Sequence, residues 1–145
     1  MTWRLVVGDF LATFAAERAP DLIFWDPFSA KVDTPMWSLA TFRALFAHLR
    51  EHDRSVELFT YTASTALRTS LLLAGFHVAR GVPSGAKKET TIALRPGSHP
   101  LPHALLDAAW LARRARSSAK FAADIPAEQH DELERSLAAH PQWRA

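Results

Sequence analysis

The sequence predicts an α/β fold: a mainly parallel sheet ending in an antiparallel hairpin strand, followed by an α-helical C-terminal extension. Three observations carry that prediction. From Trp3 to about Leu73, short apolar runs alternate with stretches of helical period, the pattern of a parallel sheet with crossover helices. Two further runs, "FHVARG" and "KETTIALR", are joined through the turn-rich "GVPSGAK", as in a hairpin. Past Pro96 the strand pattern gives way to helical spacing.

Each element has its own signal. "WRLVVG" (residues 3–8) reads as a first strand, and "DFLATFAAERA" as a short helix opened by Asp9 as N-cap. Leu22, Ile23, Phe24 and Trp25 form an apolar run bounded by turn residues, expected to be a strand buried on both faces. Pro27 bars any further ladder bond, so Asp26 stands where that strand ends. Thr34 followed by Pro35 is a helix start, and Trp37, Phe42, Leu45, Phe46 and Leu49 recur at helical spacing up to Arg50. "SVELFTYT" (55–62) is the next strand and Ser64 to Leu73 the next helix, stopped by Gly75. Two tail helices are expected at about 102–116 and 126–140. The reading divides the chain into residues 1–96, which hold the sheet, and 97–145, the helical extension.

The bulk numbers exclude several classes. At 145 residues, 48% hydrophobic and 22% charged, the chain has an ordinary globular composition with length for one core. It has no cysteine, hence no disulfide frame, thiolate nucleophile or Cys-type zinc site. No run approaches the ~20 apolar residues of a membrane span, and the N-terminus lacks a signal-peptide pattern. A cytoplasmic protein with no membrane partner is the expectation. Net charge is +2 but uneven: residues 68–120 carry nine basic residues against two acidic ones, a distribution that suits a polyanion and equally suits a solvated surface.

Ligands of open α/β sheets bind just past the carboxyl ends of strands, which makes Asp26 a candidate. The residues alone leave two readings of it: a turn former, or a working carboxylate on the sheet's rim. "HLREH" (48–52) has the spacing of an inverted zinc-peptidase motif, but no third ligand is evident, and no metal site is expected. Phe28 occupies the place where an aspartyl phosphatase would carry its second acid. No phosphate-binding loop and no G-x-S-x-G turn occurs.

Taken together, "GDF" after the first run, "DLIFWDPFSAKVDTPMW", "TYT", "LLLAGFHV" and "GAKKETTIA" resemble the MnmC-type family of class I S-adenosylmethionine (SAM) methyltransferases. Members of that family methylate 5-aminomethyl-2-thiouridine at the tRNA wobble position. Asp26, Phe28, Pro35, Met36 and Trp37 match its loop pattern, whereas Pro27, Ala30 and Asp33-Thr34 depart from it. The resemblance runs from about Trp3 to Ala93 and implies an incomplete Rossmann-like methyltransferase sheet. It implies SAM as methyl donor and tRNA as partner. Asp26 would orient the substrate amine and Phe28 would contact the base, while Gly8, Asp9 and Phe10 would meet adenine; Asp9 as a plain helix cap predicts the same residue. Lys87 and Lys88 would hold RNA phosphates, with a solvated hairpin as the alternative. Trp37 reads first as core.

The family's sheet order is 3-2-1-4-5-7-6, and in that scheme this chain opens at strand 3. None of its five glycines forms a G-x-G turn after a first strand. Strands 1 and 2 would fit between the first run and Leu22–Trp25, a gap of about 14 Å at ~4.8 Å per strand. The expectations are that Met1 is an internal methionine of a longer protein or the gene is truncated, and that the apolar edge seeks a missing N-terminal half or a second copy. Two alternatives stay open: a remnant or interaction module with a basic surface, and a relative of the adenine-amino methyltransferases, whose doubled proline "DPF" lacks.

Overall fold

The computed structural model describes residues 2–50, 53–85, 88–97 and 102–144. Four strands form one sheet: β1 (Leu22–Phe24), β2 (Val56–Thr60), β3 (His77–Gly81) and β4 (Thr90–Arg95). Their spatial order is β1-β2-β4-β3. β1 lies parallel to β2 with Leu22 opposite Glu57 and Phe24 opposite Phe59. β4 runs antiparallel to both β2 and β3. The sheet is therefore mixed, its parallel part being the β1–β2 pair.

Helices α2 (Leu39–Leu49) and α3 (Thr65–Ala74) cover one face. Their buried Phe42, Leu45, Leu49, Leu67 and Leu71 meet Trp25, Val56, Leu58, Val78 and Ala93 of the sheet side. Each such side chain contributes about 1.5–3 kcal/mol by leaving water, so Phe42→Ala would cost about 3–5 kcal/mol. Gly75 ends α3 at φ +111°, and its amide donates to the Leu71 and Leu72 carbonyls. A side chain there would meet the Phe46 ring at 2.9 Å, so glycine serves both the turn and the packing.

The tail joins the same core. In α4 (Ala108–Ala115) and α5 (His130–Ala138), Trp110, Leu133 and Leu137 pack with Leu106 and Ile125 against the helices of the sheet. The first tail helix starts at Ala108, not at residue 102, because residues 104–106 are used otherwise. The Leu106 amide donates to the Val78 carbonyl (2.8 Å) and the Arg80 amide to that of Ala104 (3.2 Å), which extends the sheet beyond β3.

Three local expectations need correction. Residues 3–8 form no strand: they run exposed, and no described strand pairs with them. A strand needs a neighbour to take its backbone groups, and this one lacks it. β1 is not buried on both faces, since Leu22 is 48% and Phe24 76% exposed; only Trp25 and, partly, Ile23 face the helices. Thr34 does not cap the following helix. Its hydroxyl donates to the Ala30 carbonyl, Thr34–Trp37 make one 3₁₀ turn, and Ser38 caps α2 by accepting from the Thr41 amide.

Candidate active site

The strand-end acid falls where the sequence placed it. The Trp25 amide donates to the Phe59 carbonyl (2.8 Å), continuing the β1–β2 ladder by one residue. Pro27 stops it, leaving Asp26 exposed on the rim. Asp26 borders a shallow cleft of about 280 Å³, with Phe24, Phe59, Thr60, Tyr61 and Val82 among its walls. The Phe24 and Phe59 rings pair there, 5.9 Å apart. Phe28 sits apart from this cleft, 76% exposed on the next loop.

A second, deeper cleft of about 400 Å³ opens on the same rim, between the Asp26 loop, the β2–α3 connection and the tail. Tyr61 lines both clefts. Trp37 forms the inner wall; it is buried, its indole N–H donates to the Phe28 carbonyl (2.6 Å), and its ring meets Tyr61 edge-on at 6.3 Å. The expected core role of Trp37 is thus joined to a place in a cleft wall. From the tail come Phe121 and Asp124, neither of which carries any local motif in the sequence. Tyr61 lies inside the "TYT" motif, but no spacing rule gave it a role.

Arg68 holds the floor of this rim. It is 2% exposed and donates to Thr91 Oγ1 (2.9 Å), the Thr90 carbonyl (2.8 Å) and Glu89 (3.1 Å). Thr91 in turn donates its hydroxyl to the Thr62 carbonyl (2.6 Å), which fixes the backbone beside Tyr61. Burial lowers the Arg68 pKa while Glu89 opposes that shift; a guanidinium stays charged at any physiological pH.

A third depression, a groove of about 440 Å³, separates the exposed arm from β1. Val6, Gly8, Phe10, Leu22 and Phe24 are among its walls, and Phe24 borders the Asp26 cleft as well. The structure therefore brings Gly8 and Phe10 to a groove that shares Phe24 with the cleft bordered by Asp26. Asp9 instead acts as a helix cap, its carboxylate accepting from the Leu11 amide at 2.9 Å at the start of α1 (Phe10–Thr13). Phe10 stacks on Phe14 at 5.0 Å and meets Trp25 edge-on at 5.2 Å. His48 also lines the groove, while His52 of the "HLREH" spacing lies outside the described residues. So does Lys87; Lys88 is exposed.

An open mixed sheet ordered β1-β2-β4-β3, with its last two strands an antiparallel hairpin, has the strand order of the last four positions of a Rossmann-like methyltransferase sheet. The chain belongs to a family of S-adenosyl-L-methionine-dependent methyltransferases, whose sequence profile matches residues 1–96. It is 32% identical over 116 residues to the tRNA 5-methylaminomethyl-2-thiouridine biosynthesis bifunctional protein MnmC of Delftia acidovorans, a match covering 78% of this chain and 16% of that protein. The fold is shared with MnmC2 from Aquifex aeolicus, at a TM-score of 0.60 and 21% identity, over 94% of this chain and 43% of the other. The chain thus spans less than half the length of either relative.

The family's methyl donor is S-adenosylmethionine, and two of the residues expected at its adenine end, Gly8 and Phe10, line one groove. Phe10 offers a flat apolar wall at the groove, suited to a purine face. Gly8, at φ +149° and with a would-be side chain 3.3 Å from Thr13, lets the backbone turn there. No glycine-rich turn for the amino-acid end and no second-strand acid for a ribose occurs in the sequence.

Proposed function

We propose that this chain carries the substrate half of a tRNA methyltransferase, acting on the aminomethyl group of a modified wobble uridine. The observation that supports the reading is Asp26, exposed on the rim past the end of β1, in a cleft that shares Phe24 with the groove beside the arm and Tyr61 with the deeper aromatic cleft. The relatives' tRNA chemistry supports the choice of substrate.

Bound S-adenosylmethionine supplies an electrophilic methyl group. Everything else falls to protein side chains. An amine attacks only as the free base, with its lone pair aimed along the reaction axis. Asp26 accepts one N–H of the amine, which fixes the lone pair, and receives the proton that the methylated ammonium sheds. Phe28, exposed on the loop, is free to stack on a base as the RNA arrives. Gly8 and Phe10 form the adenine wall, with Asp9 holding their turn in place. Lys88, together with Lys87, adds phosphate affinity without sequence preference.

The donor-binding half is to be completed at the β1 edge by strands bearing a glycine-rich turn, fused ahead of the arm or supplied by another chain. Calorimetry with S-adenosylmethionine tests this directly. The 145-residue chain alone is expected to bind the donor weakly, and to bind it at micromolar concentration once fused behind the upstream region of the Delftia protein. That fusion should then methylate tRNA carrying 5-aminomethyl-2-thiouridine. Tight donor binding with no methyl transfer to that tRNA would overturn the proposed reaction.

A further inference from the structure

The 400 Å³ rim cleft has a wall that no part of the family match supplies, since that match ends at residue 96 while Phe121 and Asp124 lie in the tail. We infer that the tail completes the pocket for the modified base: Trp37, Tyr61 and Phe121 enclose an aminomethylated pyrimidine ring, and Asp124 engages its polar edge. This rests on the tRNA reading above and adds the residues that recognise the base.

The chemistry of the walls selects the occupant. The volume is within the range of small-ligand sites, and three aromatic rings converge on it. None of the described residues lining it is lysine or arginine, and one is a carboxylate. A phosphate would meet that carboxylate without a compensating cation. A flat group bearing N–H donors or a positive charge meets stacking surfaces and an acceptor instead.

Both tail residues are held in place. Asp124 Oδ2 accepts from the Leu39 amide at 3.2 Å, at the first turn of α2. This ties the carboxylate to the helix behind Trp37. Phe121 stacks on His130 at 4.2 Å, and the Arg114 guanidinium lies 4.8 Å from its ring centroid. Arg114 is itself 2% exposed, anchored by Thr69 (2.8 Å) and by both carboxylate oxygens of Glu134 (2.9 and 2.7 Å). A ring braced in this way suits recognition, because little side-chain freedom is left to lose on binding.

The test is equilibrium binding of two anticodon stem-loop RNAs to the chain, one with 5-aminomethyluridine and one with uridine at the wobble position. Phe121→Ala should weaken both by roughly five- to hundredfold, the scale of one lost base–aromatic contact. Ala123→Trp fills the cleft from an exposed position without removing a packing partner, and should do the same with an unchanged melting temperature. Asp124→Asn keeps an acceptor for the Leu39 amide but removes the charge facing the ring's polar edge, and should weaken both RNAs by a smaller factor than Phe121→Ala. Undiminished binding of both RNAs by Phe121→Ala and Ala123→Trp overturns this inference and leaves the tRNA reading standing. Failure of the parent chain to bind either RNA overturns both.

Discussion

At the β3 edge of the sheet Val78 and the Arg80 amide find partners on the outward side; at the β1 edge no strand among the described residues lies alongside. Residues 104–106 pair with β3, and Gln142 finishes the work. Its side chain accepts from the Val78 amide (2.7 Å) and donates to the carbonyls of Val78 (2.9 Å) and Leu106 (2.7 Å). One glutamine thus takes the place of a strand residue in the ladder. β1 has β2 on one side and, among the described residues, no strand on the other. Beside it lie the exposed Leu22 and Phe24 and an arm whose Trp3 is 89% exposed. An uncovered apolar edge invites pairing. Among the described residues, one edge is sealed by a buried glutamine and the other keeps apolar side chains in water.

That contrast can be broken at its closed side first. Gln142→Ala leaves the Val78 amide and the Leu106 carbonyl without their side-chain partner, while the Val78 carbonyl keeps the Leu106 amide, and should cost about 3 kcal/mol in denaturant unfolding. A loss under ~1 kcal/mol, the scale of a single hydrogen bond, would mean that the edge is not sealed by this residue. The neighbouring histidine sharpens the point with pH. Burial, aided by His77 at a ring distance of 5.3 Å, pushes the His140 pKa down to about 4 from an ordinary 6.5. His140 Nδ1 also accepts from the Gln142 amide (3.2 Å). The folded state therefore favours the neutral ring, while the unfolded chain takes up a proton below pH ~6.5. Stability from this site is full above that pH and is lost as pH falls toward ~4, on the order of 2–3 kcal/mol. Urea titrations of parent and His140→Asn proteins at about pH 7 and pH 4.5 should show that difference between the two pH slopes. Equal slopes would remove His140 from the account.

At the open side the expected effect on folding is smallest. Leu22→Lys with Phe24→Lys should change stability by about 1 kcal/mol, since Leu22 is half exposed and Phe24 gives up only its ring contact with Phe59. The same pair should abolish association through β1, measured by sedimentation. A large loss of stability in the monomer would show that the edge is part of the core after all.

How much of this was legible in the sequence depended on the range of each interaction. β1 to β4, the Asp9 cap and the Gly75 stop carry local signals, because alternation, caps and turns are set within a few residues. The arm at residues 3–8 has the same β-type composition yet forms no strand, because pairing is decided by a distant neighbour and not by propensity. Ser38 displaced Thr34 as the cap of α2 because the 3₁₀ turn between them has its own hydrogen bonds. The rim position of Asp26 was readable from the strand that precedes it and the proline that follows. Phe121, Asp124 and Gln142 were not readable. Each acts across a long stretch of chain, or against several elements at once, in a tail with no motif of its own.

The central claim is that Asp26 handles the amine while the donor is held elsewhere. Its most direct test is single-turnover methyl transfer by the fused protein carrying Asp26→Ala, with donor affinity measured on the same sample. The account predicts a rate at least ~100-fold lower with donor affinity unchanged. A variant that transfers the methyl group at the parent's rate would contradict it.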